Sequence, residues 1–273
     1  MYNIRVYDIR RFARIFGCGR RIDEVFMPRF FVPLEDIDNT AEKTVITVRG
    51  DDAGHITRVL RMKAGESVIV CDSDGREYET VIRTTGSEVV LDVISSKMSE
   101  NEPPYRAVVF QALVKGDRFD TVLQKSTELG VCEIVPVMTS RCTVKLTPQE
   151  YAKKVERWQR IAYEAAKQCG RAVIPVVHTP VAFADAVKMA LQCDLGLFCY
   201  EGEGTLPLNK ICRNSNQPSS VSLMIGPEGG YSKEEAKAAE EAGLRMTGLG
   251  KRILRTETAA PYVLSCLSYE FEL

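Results

Sequence analysis

The chain has 273 residues, 45% hydrophobic and 27% charged, with 36 Lys and Arg against 37 Asp and Glu; this ordinary globular composition excludes a disordered or collagen-like chain. No apolar run approaches the roughly 18 residues of a membrane-spanning helix, and the length allows one large domain or two smaller ones. Nine scattered cysteines without a C-x-x-C pair, and only two histidines, His55 and His178, argue against zinc and a disulfide framework and for a reducing cytosol.

Residues 1–26 carry six arginines and no serine, and Gly17-Cys18-Gly19 lacks the strand and third glycine of a dinucleotide loop. Met27-Pro28-Arg29-Phe30-Phe31-Val32 reads as a protein start, so 1–26 are expected to be an upstream extension. From Phe30 to about Ser96, the β-branched runs Thr44–Val48, Ser67–Cys71, Tyr78–Ile82 and Val89–Val93, separated by turns such as Asp72-Ser73-Asp74-Gly75, predict a small barrel-like β domain over 27–100. The stretch His55–Leu60 is its helical exception. The polar link Lys97–Pro104 marks the boundary to a second domain, 101–273.

Beyond Tyr105, strand-like and helix-like stretches alternate, the mark of α/β layering on a mainly parallel sheet. Arg106–Leu113 reads as strand, Arg118–Leu129 as helix closed by Gly130, and Cys132–Met138 as strand. Thr147-Pro148-Gln149-Glu150 is a capping box opening a long helix that ends at Gly170. Phe183–Leu191 is predicted helical, and Leu195–Tyr200 and Val221–Ile225 are predicted buried strands. Ser232 with Glu235 caps a helix closed by Gly243, and a short strand ends near Leu249. The last helix is expected from Thr258, which puts Pro261 at its third position, where no intrahelical bond is lost.

Two glycine loops follow apolar strands: Ile225-Gly226-Pro227-Glu228-Gly229-Gly230 and Leu249-Gly250-Lys251-Arg252-Ile253-Leu254-Arg255-Thr256-Glu257-Thr258-Ala259. Neither is a Walker loop or a Rossmann fingerprint, yet both sit at strand carboxyl ends, where α/β sheets bind ligands. With Arg-Phe-Phe at 29–31, His-Ile-Thr-Arg-Val-Leu-Arg at 55–61, Gln-Lys-Ser-Thr-Glu-Leu-Gly-Val at 124–131 and Glu-Ala-Ala-Lys-Gln-Cys-Gly-Arg at 164–171, they resemble the RsmE family. These are the small-subunit (16S) ribosomal RNA (uracil-N3)-methyltransferases of the SPOUT superfamily. The resemblance runs from Met27 to the C-terminus; residues 1–26 have no counterpart, and Pro261 stands where helix formers are usual.

That resemblance implies a PUA-like RNA-binding β-barrel followed by a SPOUT α/β domain with a trefoil knot, S-adenosylmethionine (SAM) as cofactor, a homodimer, a cytoplasmic location and no metal. It places the cofactor at Leu197, Tyr200, Glu201, Ile225, Gly226, Pro227, Gly229, Gly230, Leu249, Gly250, Arg252, Ile253, Leu254, Thr258 and Ala259. Removing the uridine N3 proton calls for a carboxylate base or a cation beside the developing anion. Arg255 and Glu257 flank the second loop and can fill those roles, or form an internal ion pair. Arg29, His55, Arg58, Arg61, Lys115, Arg118, Gln168 and Arg171 are candidates for RNA contact, with solvated surface charge or a helix cap as the alternative. The stretch Lys115–Arg171 holds 11 basic residues against 7 acidic and suits RNA. Trp158 is expected in the core or a dimer interface. Other readings are a SPOUT enzyme acting on another RNA base and a non-catalytic ribosome assembly factor.

Overall fold

A computed structural model of the protein describes residues 27–39, 43–144 and 147–273; the extension expected over 1–26 lies outside the described residues. The chain divides into two compact units. One takes the described residues up to Phe30 with Asp36–Val70 and Tyr78–Ser95, the other Phe31–Glu35, Cys71–Glu77 and Ser96–Leu273.

The first sheet has six strands, β1 (Arg29–Phe31), β2 (Ile37–Asp38), β3 (Val45–Val48), β4 (Ser67–Cys71), β5 (Arg76–Thr84) and β6 (Val89–Met98), in the order β1-β4-β5-β6-β3-β2. In β3, Ile46 and Val48 are buried, alternating with half-buried Val45 and Thr47, the period of a strand with one covered face. Between β4 and β5, the Asp72 carboxylate accepts from the N–H groups of Asp74 and Arg76 at 2.9 and 3.1 Å, an Asx-type turn. The helical exception starts earlier than expected: α1 (Gly50–Gly54) leads into one turn of π-helix at His55–Val59.

The second unit is a layered α/β structure. Its sheet contains β7 (Arg106–Ala112), β8 (Val131–Met138), β9 (Val176–Val177), β10 (Val181–Ala182), β11 (Leu195–Cys199), β12 (Leu206–Pro207), β13 (Ser220–Ile225) and β14 (Arg245–Gly248). The order is β10-β8-β7-β13-β11-β14-β12, with β9 also paired to β8. Among the described residues, six α-helices join them: α2 (Arg118–Glu128), α3 (Pro148–Cys169), α4 (Phe183–Ala190), α5 (Leu208–Arg213), α6 (Lys233–Ala242) and α7 (Thr256–Phe271).

The central strands are buried on both faces, which is why they read as continuous apolar runs. Ala107 and Val109 of β7 pack with Phe119, Trp158 and Leu264 of α2, α3 and α7, while Val108 and Phe110 pack with Ala186 and Ala239 of α4 and α6. Trp158 is core, 4.4 Å from Phe119 between ring centroids. Both predicted capping boxes form, at Thr147–Glu150 and Ser232–Glu235, and their helices close on left-handed Gly170 and Gly243.

The last helix differs from expectation. It starts at Thr256 rather than Thr258, with Arg255 as an extended N-cap, so Pro261 is the sixth helical residue. The Arg255 carbonyl, accepting from the N–H groups of Thr258 and Ala259, anchors this earlier start. The proline therefore lies inside the helix and offers no N–H to the Glu257 carbonyl. No helix among the described residues is long and apolar enough to cross a membrane.

Candidate active site

Strands β7, β8, β11, β13 and β14 are parallel, so their carboxyl ends share one edge of the sheet. Three loops converge there, 199–205 after β11, 226–231 after β13 and 249–255 after β14, around a cleft of about 860 Å³. A Cβ on Gly226 would come within 3.2 Å of the Tyr231 ring. That ring cannot retreat, being buried and packed 4.3 Å from Phe198. Gly250, with φ of +106° and open space around it, takes a left-handed backbone that suits glycine.

A buried chain of hydrogen bonds ties the two glycine loops. The Thr256 hydroxyl donates to the Gly226 carbonyl at 2.7 Å and accepts from Gln111 Nε2, on β7, at 2.9 Å. Arg141, following β8, donates to the Gly229 carbonyl at 2.8 Å and lines the cleft. The base of the first loop is held by Glu235, whose carboxylate accepts from the N–H groups of Ser232 and Ser140 at 2.9 and 2.7 Å.

Charge concentrates at one rim. Arg118 Nη1 lies 2.6 Å from Glu228 Oε1, and Arg118 Nε lies 3.9 Å from Glu257 Oε1. Burial pushes the Glu228 carboxyl up, but its own N–H, the Lys115 N–H and the Arg118 guanidinium outweigh that and hold it below the usual glutamate range. The Cys199 thiol on the cleft wall is pushed up to about 12 by burial, so it is a neutral group and no nucleophile. The Tyr231 hydroxyl, also raised by burial, has no hydrogen-bond partner among the described residues.

Of the positions expected at the cofactor, Tyr200, Glu201, Ile225, Gly226, Pro227, Gly229, Gly230, Leu249, Gly250, Arg252, Ile253, Leu254 and Ala259 line this cleft. Leu197 and Thr258 do not. Leu197 is fully buried in the core, because the strand alternation turns it toward the helices, and Thr258 is exposed on the surface of α7. Arg255 and Glu257 both line the cleft, but the internal ion pair considered between them is not made; the cation nearest Glu257 is Arg118.

The residues expected at RNA scatter. His55, Arg58 and Arg61 are exposed on and just after the π-helical turn of the first unit, with the His55 ring 6.1 Å from Phe30, and Arg29 is half-buried on β1. Lys115 is exposed, its N–H 3.2 Å from Glu228 Oε1. Gln168 is exposed beside a shallow groove between α2 and α3.

Arg171 corrects the expectation: it is 2% exposed, and its guanidinium is spent internally. It donates to Glu102 Oε2 from Nε and Nη2 at 3.0 and 2.6 Å, and from Nη1 to the Thr127 and Val131 carbonyls at 3.2 and 2.5 Å. Such a group holds the fold, with four of its five N–H donors committed inside the protein.

Sequence reasoning missed Arg141, Gly202, Thr205, Tyr231 and Gly248 as parts of the cleft, and it placed Glu228 and Thr256 in the cofactor loops 225–230 and 249–259 without singling them out. Tyr231 stands beside the first glycine motif and was findable there. Arg141 comes from another crossover and carries no local signal.

Comparison with known proteins agrees with this geometry. An RNA methyltransferase domain family matches residues 101–268, and an RNA methyltransferase PUA domain matches residues 48–93. The chain is 33% identical over 252 residues to the ribosomal RNA small subunit methyltransferase E of Bacillus subtilis, covering 90% of this chain and 98% of that protein. It is 33% identical over 226 residues to the protein of the same name from Synechocystis, covering 82% and 72%. The crystal structure of a ribosomal RNA small subunit methyltransferase E from Neisseria gonorrhoeae, bound to S-adenosyl methionine, superposes with a TM-score of 0.77 at 31% identity, over 89% of this chain and 97% of that one.

Proposed function

The chain belongs to the ribosomal RNA small subunit methyltransferase E family, and on that premise we propose that it transfers a methyl group from SAM to N3 of one uridine in small-subunit (16S) ribosomal RNA. The observation that carries this reading is the cleft itself: two glycine loops at the carboxyl edge of a parallel sheet, tied by the Thr256 hydroxyl, in a chain whose SAM-bound relative has the same fold.

The residues present fit SAM. The cleft volume lies within the range of small-molecule sites, about 300–1,000 Å³, and Gly226 and Gly250 present bare backbone on its wall. Ile225, Leu249, Ile253 and Leu254 offer apolar surface, and Tyr200, Glu201 and the segments Gly226–Gly230 and Gly250–Arg252 offer polar groups. SAM, when bound, supplies an electrophilic methyl group on a sulfonium. Glu257 then accepts the N3 proton, and Arg255, exposed on the cleft wall with no ion pair among the described residues, faces the charge that develops on the uracil.

RNA is seated by Arg29, His55, Arg58 and Arg61 of the PUA-like unit, with Lys115 and Gln168 on the methyltransferase unit. The enzyme works as a homodimer: Ile253 and Tyr269, 79% and 74% exposed on the second loop and α7, are large apolar side chains that a second copy would cover. The knot belongs to the same reading, because β14 lies between β11 and β12, which precede it in the chain. Its free cysteines suit the cytoplasm.

Radiolabelled SAM tests the reading when incubated with small subunits that lack uridine-N3 methylation. Label in the RNA is expected; SAM binding without transfer would contradict the enzyme assignment.

A further inference from the structure

Arg118, the first residue of α2, is the only side chain among the described residues whose charge reaches within 4.0 Å both Glu228, in the first glycine loop, and Glu257, in the first turn of α7. The two contacts are unequal. Glu228 is consumed: its Oε1 receives the guanidinium at 2.6 Å and the Lys115 N–H at 3.2 Å. Glu257 makes no side-chain hydrogen bond among the described residues, and its side chain, 19% exposed, lies 3.9 Å from Arg118 Nε. The other charged groups lining the cleft are Arg141, Glu201, Lys251, Arg252 and Arg255, and none of the four cations among them pairs with the Glu257 carboxylate within 4.0 Å. One carboxylate thus fixes the guanidinium, and the guanidinium faces the other carboxylate, whose lone pairs stay open.

We propose that Arg118 is a positioning residue for methyl transfer, clamped by Glu228 so that it holds the Glu257 carboxylate toward the cleft. This rests on the reading that Glu257 receives the uridine proton. In that step the N3–H bond breaks and its proton passes to Glu257. N3 bonds to the methyl carbon while the carbon–sulfur bond breaks, leaving its electron pair on sulfur. Arg118 touches none of the reacting atoms. Its contribution is to spare Glu257 a search among rotamers, a gain in orientation that appears in turnover rather than in binding.

Arg118→Ala, Arg118→Lys, Glu228→Gln and Glu257→Gln separate the possibilities when kcat, the KM for small subunits and the calorimetric SAM affinity are measured for each. Glu257→Gln is expected to lower kcat at least about a hundredfold. Arg118→Ala should lower kcat about tenfold with SAM affinity and RNA KM within about twofold of the parent, the pattern of an interaction that counts in the transition state. Arg118→Lys should recover part of the loss. Glu228→Gln should reproduce it, and the Arg118→Ala, Glu228→Gln double variant should be no worse than Arg118→Ala.

A raised RNA KM with a shallower salt dependence would make Arg118 a phosphate contact and overturn the proposal. SAM affinity falling in step with activity would make it a loop support and overturn it equally. Full turnover in Glu257→Gln would remove the acceptor reading itself, whereas an inactive Glu257→Gln beside an unaffected Arg118→Ala would remove only the role given to Arg118.

Discussion

The Thr256 hydroxyl and the Gly226 carbonyl meet at 2.7 Å, and this contact joins the start of the last helix to the first glycine loop. Because Gln111 Nε2 donates to the same hydroxyl, one threonine serves both loops and the central strand β7. Thr256→Val keeps the shape but takes the hydroxyl away from a carbonyl and a buried amide, at a cost of about 2 kcal/mol. Thermal unfolding should show this loss and calorimetry a weaker SAM affinity; Thr256→Ser should retain most of both. An unchanged SAM affinity in the valine variant would separate the tie from cofactor binding.

Two glycines of the cleft resist substitution for different reasons. At Gly250 no atom lies within 4 Å of the place a β-carbon would take, and only the φ of +106° opposes a side chain; Gly250→Ala therefore costs about 1–2 kcal/mol of backbone strain. At Gly226 the obstacle is the Tyr231 ring. Gly226→Ala combined with Tyr231→Leu should recover SAM affinity lost in Gly226→Ala, while no change at Tyr231 should rescue Gly250→Ala. Calorimetric titration of the single and combined variants decides.

Arg171 is a structural clamp. Arg171→Met strands Glu102, which also accepts from the N–H groups of Ala172 and Val173 at 2.9 and 3.1 Å, and two carbonyls. Breaking one side of such a buried pair costs about 3–5 kcal/mol. The urea midpoint should fall accordingly, with RNA affinity per folded molecule unchanged. A stable variant with weakened RNA binding would return Arg171 to the RNA surface.

Acid should weaken the second unit through Glu133. Burial raises its carboxyl, but hydrogen bonds from Arg106 and His178, at 2.7 and 2.8 Å, outweigh that and lower it. A carboxylate depressed in the folded state stabilises fully above its unfolded value, about 4.3, and loses that contribution as pH falls through the folded value. Glu133→Gln should cost about 1 kcal/mol at neutral pH and little at an acid pH below the folded value. Equal losses at both pH values in a urea titration would show that shape, not charge, matters at this position.

Most of the fold could be read because its determinants are local. Runs of apolar residues announced β7, β8, β11 and β13, and both capping boxes formed where Thr147 and Ser232 placed them. Strands β9, β10 and β12, of two residues each, are too short to show a period. The start of the last helix was misplaced because Pro261 argued for an early position in it, whereas the Arg255 cap decided the register. At the site the glycine loops were legible as motifs. The contact of Arg118 with Glu228 was not, since the two residues are 110 positions apart and only the sheet brings them together. Arg171 misled for the same reason: its partner Glu102, 69 positions away, removes the charge that made it look like an RNA contact.

The central claim is the atom that receives the methyl group. Small subunits without uridine-N3 methylation, incubated with the purified chain and SAM and then digested to nucleosides, can be analysed by mass spectrometry against standards. The account predicts 3-methyluridine at a single position of the small-subunit RNA, absent when Glu257→Gln replaces the parent chain. A different methylated nucleoside, or 3-methyluridine formed at an undiminished rate by the Glu257→Gln variant, would contradict it.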